Sequence, residues 1–113
     1  DERGSFTELI RSNFAGQVSV NITKPGITKG KHWHHTKTER FIVVKGEALI
    51  KFKNIMTNET VNYEVNDKRL EVVNIPPGYV HSITNIGKDN LITVMWANEI
   101  FNKEKPDTFA EEI

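Results

Sequence analysis

The chain has 113 residues, enough for one domain with a core of its own and no need of covalent staples. Lysine plus arginine balance aspartate plus glutamate, 15 against 15, which gives no support to a basic nucleic-acid platform or a membrane-surface patch. Cysteine is absent, so disulfides and thiolate metal sites are excluded, and any metal must be held by nitrogen and oxygen ligands from His, Asp or Glu.

Taken in chain order, period-two patterning dominates. In QVSVNIT, residues 17–23, Val18, Val20 and Ile22 alternate with polar partners, as in a half-buried strand. FIVV at 41–44 is a short apolar run that ends at Lys45-Gly46-Glu47, a tight-hairpin signal. EALIKF at 47–52 alternates again, with Ala48, Ile50 and Phe52 on one face. A turn at 54–59 precedes VNYEV at 61–65, and EVVNI at 71–75 stops at Pro76-Pro77-Gly78. HSITN at 81–85 and LITVMW at 91–96 flank a Gly-Lys-Asp-Asn turn. The spacing predicts about eight strands in an all-β sandwich or small barrel, 1–113 forming one domain. Helix-compatible composition is confined to the tail, 105–113.

No apolar run approaches the roughly 20 residues of a membrane-spanning helix, and no signal-peptide pattern opens the chain, so a cytoplasmic location is expected. A start at Asp1 without methionine suggests a fragment or processed chain. The sequons at Asn21 and Asn58 read as coincidence in that compartment.

The stretch KGKHWHHTKTERF, 29–41, holds three of the four histidines. Imidazole is the commonest protein metal ligand. In a strand, residues two apart share a face. His32 and His34 can therefore point into a barrel while Trp33 points away. Glu39, near the start of the next strand, can return its carboxylate to the same interior. His81 follows the sharp Pro-Pro-Gly turn.

These residues match a known pattern. Gly26, His32, His34, Glu39 and Gly46 stand at the intervals of the first cupin motif. Pro76, Gly78, His81 and Asn85 stand at those of the second, with Leu70 where a leading glycine is usual. The resemblance implies a double-stranded β-helix, the jelly-roll barrel of cupins, with His32, His34, Glu39 and His81 as ligands of a divalent metal. The opening DERGSFTELIRS resembles the lead-in of cupin enzymes acting on nucleotide-linked keto-sugars. Three longer stretches, beginning at Gly16, Leu70 and Thr93, resemble the C-terminal domain of the bifunctional capsular-polysaccharide UDP-sugar 3-epimerase/4-reductases.

That likeness implies a UDP-linked 2-acetamido-2,6-dideoxy-4-hexulose as substrate and inversion at C3 as reaction. The C3 proton lies next to a ketone, so an enolate intermediate needs a base, an acid and an electrophile. Zinc is the expected ion, because no redox step is required. The base is His35 or Glu39, and Tyr79 is a candidate proton donor. Arg3, Lys24, Lys29 and Lys31 are candidates for the diphosphate. Trp33 and Trp96 are expected in the core or a dimer interface, with packing against the uracil as the alternative. No Gly-x-Gly-x-x-Gly appears, so no nicotinamide cofactor is expected, and a reductase domain would belong to a longer parent chain. A homodimer is expected, built through the N-terminal strand and WANEIF, 96–101. The alternatives are a 3,4-ketoisomerase or 3,5-epimerase of the same barrel class, an iron-dependent dioxygenase, and a non-catalytic sugar-binding or dimerisation module.

Overall fold

Nearly every alternating stretch forms a strand in the computed structural model, which describes residues 1–12, 16–34, 36–99 and 108–111. The strands are β1 (Gly4–Ser12), β2 (Gly16–Thr23), β3 (Thr28–Trp33), β4 (Glu39–Lys45), β5 (Glu47–Asn54), β6 (Thr60–Asn66), β7 (Val72–Ile75), β8 (Tyr79–Asn85), β9 (Leu91–Ala97) and β10 (Phe109–Ala110). They build two antiparallel five-stranded sheets, ordered β1-β2-β9-β4-β7 and β10-β3-β8-β5-β6. This is the cupin jelly roll. No helix among the described residues is long and apolar enough to cross a membrane.

The tail departs from expectation. Its described part, 108–111, contains β10, which pairs Phe109 with Trp33 and Ala110 with His32; 105–107 and 112–113 lie outside the described residues. Trp33, expected to face away, is half-buried, with the Phe109 ring 4.8 Å from its own.

The apolar core fills one end of the space between the sheets. Phe41 and Val43 of β4, Ala48, Ile50 and Phe52 of β5, Val73 and Ile75 of β7, and Leu91 of β9 are buried together. At the other end the inner face turns polar. Ser19, Asn21 and Thr93 are buried there, whereas Val18, Val20 and Ile22 are only half-buried. The alternation in β2 is as the sequence predicts, but its more buried side is the polar one. Register explains where the apolar side goes: Val20 pairs with Val94, Val94 with Ile42, and Ile42 with Val72. These four residues form an apolar row across the outer face of the first sheet.

Asn85, the last residue of the second motif, holds a turn rather than a ligand. It is buried, its amide donates to the Thr23 and Asp89 carbonyls at 2.8 and 2.9 Å, and its Oδ1 accepts from the Gly87 N–H at 2.9 Å. Asn85→Ala leaves these buried backbone groups without partners. It is expected to lower stability by about 2 kcal/mol, read from urea unfolding, with the metal content unchanged.

Candidate metal centre

Three strands and one loop bring the motif residues together. His32 on β3 is the cross-strand neighbour of His81 on β8. Glu39 opens β4 on the facing sheet, where it pairs with Ile75 and Ala97. The β3 ladder is irregular between Gly30 and His32, and Lys31 has φ 61°. Gly30 permits the close approach: with φ +102°, a Cβ at this position would stand 2.7 Å from the His81 carbonyl oxygen. His34 lies one residue beyond β3 and reaches the same cavity as His32.

β3 and β4 belong to different sheets, and the described residues between them are fastened at several points. The Gly78 N–H donates to the His34 carbonyl at 2.9 Å, and the Asn98 N–H to the Thr38 carbonyl at 3.1 Å. The Asn98 side chain accepts from the Thr38 N–H at 2.9 Å, and the Thr36 hydroxyl donates to Glu99 at 2.9 Å. The Pro-Pro-Gly turn therefore positions His34 as well as His81.

The imidazole centroids of His32 and His81 are 4.5 Å apart, those of His32 and His34 5.2 Å, and those of His34 and His81 5.6 Å. One ligand atom from each of the three histidines and Glu39 lies within 4.8 Å of the others. An ion with ligands at about 2.0–2.2 Å sets those atoms about 3–4.4 Å from each other, so the group fits a divalent ion with little adjustment. His34 Nε2 abuts Glu39 Oε1. The outward ring atoms also have partners: His81 Nδ1 faces the Tyr79 carbonyl at 3.5 Å, His34 Nδ1 the Thr108 hydroxyl at 3.5 Å, and His32 the Gly30 backbone. Such outer contacts orient an imidazole and fix the tautomer that presents its other nitrogen to a metal.

The electrostatics suit ligation. Burial and then the neighbouring His32 push His81 down to about 4. Burial and the His34 charge lower His32 as well. Both are neutral near pH 7, the form that binds metal. For Glu39, burial opposes ionisation, but the hydrogen bond from His34 and the neighbouring imidazoles of His81, His34 and His32 outweigh it, so its pKa falls. Three imidazoles and one carboxylate are a nitrogen-oxygen donor set suited to zinc, iron, nickel or manganese.

The cluster forms part of the wall of a cavity of about 710 Å³, a volume typical of small-molecule sites. Phe41, Ile50 and Ile75 supply apolar wall, and Arg3, Arg11, Lys29 and Lys37 bring four cationic side chains to it. Of the diphosphate candidates, Arg3 and Lys29 line the cavity, while Lys24 and Lys31 do not. Lys29 Nζ donates to Asn21 Oδ1 at 2.7 Å and to the Ile22 carbonyl at 3.0 Å. Arg3 is held by Asp1 at 2.8 Å and Arg11 by Glu8 at 2.9 Å. Sequence reasoning missed Arg11, whose place opposite Gln17 on the edge strand only the β1–β2 register reveals. It also missed Lys37, a lysine in a polar loop that is 7% exposed.

Tyr79 is not brought to this cavity. Its hydroxyl accepts from Asn54 Nδ2 at 3.3 Å, its ring packs edge-on to Phe52, and it lines a separate depression with Phe52, Val61, Asn74 and Pro76. Tyr79→Phe is therefore expected to leave turnover within about twofold of wild type in a steady-state assay, since it removes only one partly buried hydrogen bond. Trp96 lies under the Arg40 guanidinium, 5.6 Å away. His35, and Ile100 and Phe101 of WANEIF, lie outside the described residues.

Residues 1–109 match the polysaccharide biosynthesis C-terminal domain family. The chain belongs to that family. It is 44% identical over 110 residues to the UDP-2-acetamido-2,6-beta-L-arabino-hexul-4-ose reductase of Pseudomonas aeruginosa, a match covering 97% of this chain and 30% of the relative. The crystal structure of the capsular polysaccharide assembling protein CapF from Staphylococcus aureus superimposes with a TM-score of 0.98 at 53% identity, over 100% of this chain and 33% of that one. Oxalate oxidase, at 24% identity and a TM-score of 0.75 over 96% of this chain and 55% of that one, shares the fold. The chain thus spans about a third of the reductase and of CapF.

Proposed function

We propose that this domain is a metal-dependent epimerase acting at C3 of a UDP-linked 2-acetamido-2,6-dideoxy-4-hexulose, within capsular or surface polysaccharide precursor synthesis in the cytoplasm. One observation carries the reading: three imidazoles and a carboxylate converge on a cavity whose lining also holds Arg3, Arg11 and Lys29. The cations suit a nucleoside diphosphate. The name of the Pseudomonas relative supports the sugar, because it specifies a UDP-linked 4-keto hexulose.

His32, His34, Glu39 and His81 would hold the ion, which we assign as zinc because the reaction is redox-neutral. A divalent ion there supplies Lewis acidity toward a carbonyl oxygen. The chain's own groups do the rest. Arg3, Arg11 and Lys29 anchor the diphosphate. Glu39 and His35 are assigned the proton transfers at C3. Phe41, Ile50 and Ile75 keep bulk water from the reacting carbon. The reductase region in the name of the longer relative is proposed to accompany this domain in a longer parent chain. The apolar row of Val20, Val94, Ile42 and Val72 supports a homodimer through the outer face of the first sheet. Sedimentation at micromolar concentration would test that pairing.

The deciding experiment incubates the protein with the UDP-linked 4-keto sugar in heavy water and follows it by NMR. Deuterium should enter at C3 and the C3 epimer should accumulate. Deuterium also at C5 would make it a 3,5-epimerase, a ketone moved to C3 would make it a ketoisomerase, and no exchange would leave a binding module.

A further inference from the structure

Phe6 has no role in the reading above. It lines the same cavity as the metal cluster, yet it is 60% exposed. A single exposed aromatic is ordinary, so its neighbours decide its meaning. β1 is the edge strand of the first sheet, and Phe6 stands directly opposite Asn21 on β2. Opposite residues of an antiparallel pair share a face, and Asn21 is buried in the cavity wall. The Phe6 ring therefore stands on the cavity side of the edge strand. Asn21 Oδ1 accepts from Lys29 Nζ at 2.7 Å, which fixes an ammonium one strand inward from the ring. Arg3 lines the same cavity, and its charge acts after burial to lower the Lys29 pKa.

The first sheet also sets the distance from this ring to the cluster. Asn21 pairs with Thr93, and Glu39 pairs with Ala97, four residues further along β9. Phe6 and Glu39 thus stand four residues apart along the strands and three strands apart across the sheet, about 13 Å and about 14 Å between backbones. A free hexose cannot span that interval. A nucleoside diphosphate sugar can, because a ribose and two phosphates separate its base from its hexose. Lys29, held at Asn21, lies on the path where those phosphates fall. We infer that Phe6 is the platform on which the nucleobase of the substrate stacks, with the diphosphate at Lys29 and Arg3 and the keto-sugar at the metal cluster. The inference rests on the sugar-nucleotide reading of this site, and adds the base subsite and the direction in which the ligand lies. An exposed aromatic ring at the rim offers a base a face to stack on, and stacking removes both from water. Phe41, also in the wall, is buried in the core, and Trp96 lies under the Arg40 guanidinium. Every base has such a face, so Phe6 contributes affinity and not a choice between uracil and other bases.

The test is calorimetry on the whole chain with two probes, UDP and the abasic ribose 5-diphosphate, for wild type, Phe6→Ala and Phe6→Trp. Phe6→Ala should weaken UDP binding about 10-fold or more, change ribose 5-diphosphate binding by no more than about twofold, and keep the wild-type melting temperature. Phe6→Trp, which keeps a stacking face, should bind UDP within about threefold of wild type. In the exchange assay, Phe6→Ala should raise KM about 10-fold with kcat within about threefold, since the ring is remote from the reacting carbon. Unchanged UDP affinity in Phe6→Ala would overturn the inference, and so would a wild type that binds the abasic probe as tightly as UDP. An equal loss of both probes would make Phe6 a support for the cations instead. A dimer that dissociates in Phe6→Ala while UDP affinity stays unchanged would assign the ring to a contact between copies. UDP binding that depends on Phe6, without C3 exchange in wild type, is a different outcome: it removes the epimerase reading and leaves the base subsite standing.

Discussion

His81→Ala is expected to abolish stoichiometric metal binding and to reduce C3 exchange by at least about 100-fold, the scale typical of losing an electrophile in a preorganised site. Three features single out this residue. It is only 6% exposed, it stands directly across the strand from His32, and both other imidazoles lie within 5.6 Å of its ring centroid. Its loss leaves His32, His34 and Glu39, a set that can still bind an ion weakly. Partial rescue of exchange by millimolar zinc is therefore expected, and elemental analysis before and after dialysis would check it. Exchange at the wild-type rate in metal-free His81→Ala protein would show that the ion plays no part in the reaction. Full metal content in that variant would move the centre elsewhere.

Much of this architecture was legible in the order of residues. Alternation in β5 put Ala48, Ile50 and Phe52 on one face, and all three are buried. The motif spacing named four side chains that the fold does gather. Strand parity pairs His34 with His32, and the two do line the same cavity, although the strand ends at Trp33. Parity also places Tyr79 on the face of His81, and it fixes only the face. Tyr79 sits opposite Asn54 on β5 and packs on Phe52, away from the ligands. Alternation in β2 marks a half-buried strand, and hydrophobicity usually marks the side that faces the interior. Here the interior at that end is a ligand cavity, which accepts Ser19 and Asn21. Phe109, which packs on Trp33, comes from a distant part of the chain, as do Gly78 and Asn98, which tie down the loop that carries Lys37. No local pattern encodes such contacts.

Acid should destabilise the metal-free protein across a defined window. His81 titrates near 4 in the fold and near 6.5 when unfolded, so between those values the unfolded chain binds more protons. Its contribution to stability is complete above about pH 6.5 and is lost as pH falls toward 4. A shift of this size corresponds to at most about 3 kcal/mol. His32 is lowered in the same direction, and so adds to the loss in acid. Glu39, whose carboxylate the fold also favours, contributes above its ordinary pKa and loses that contribution below it. All three groups therefore act with one sign. Thermal unfolding in a chelating buffer should show a melting temperature about 10 °C lower at pH 4.5 than at pH 7. His81→Gln should flatten the profile, since the variant has no imidazole to titrate at that position. Zinc should restore stability at pH 7 and fail to do so at pH 4.5, because protonated imidazoles cannot bind it. A melting temperature that stays level or rises on acidification would show that the imidazoles are not held neutral by burial, and with that the electrostatic case for a metal centre at this site would fail.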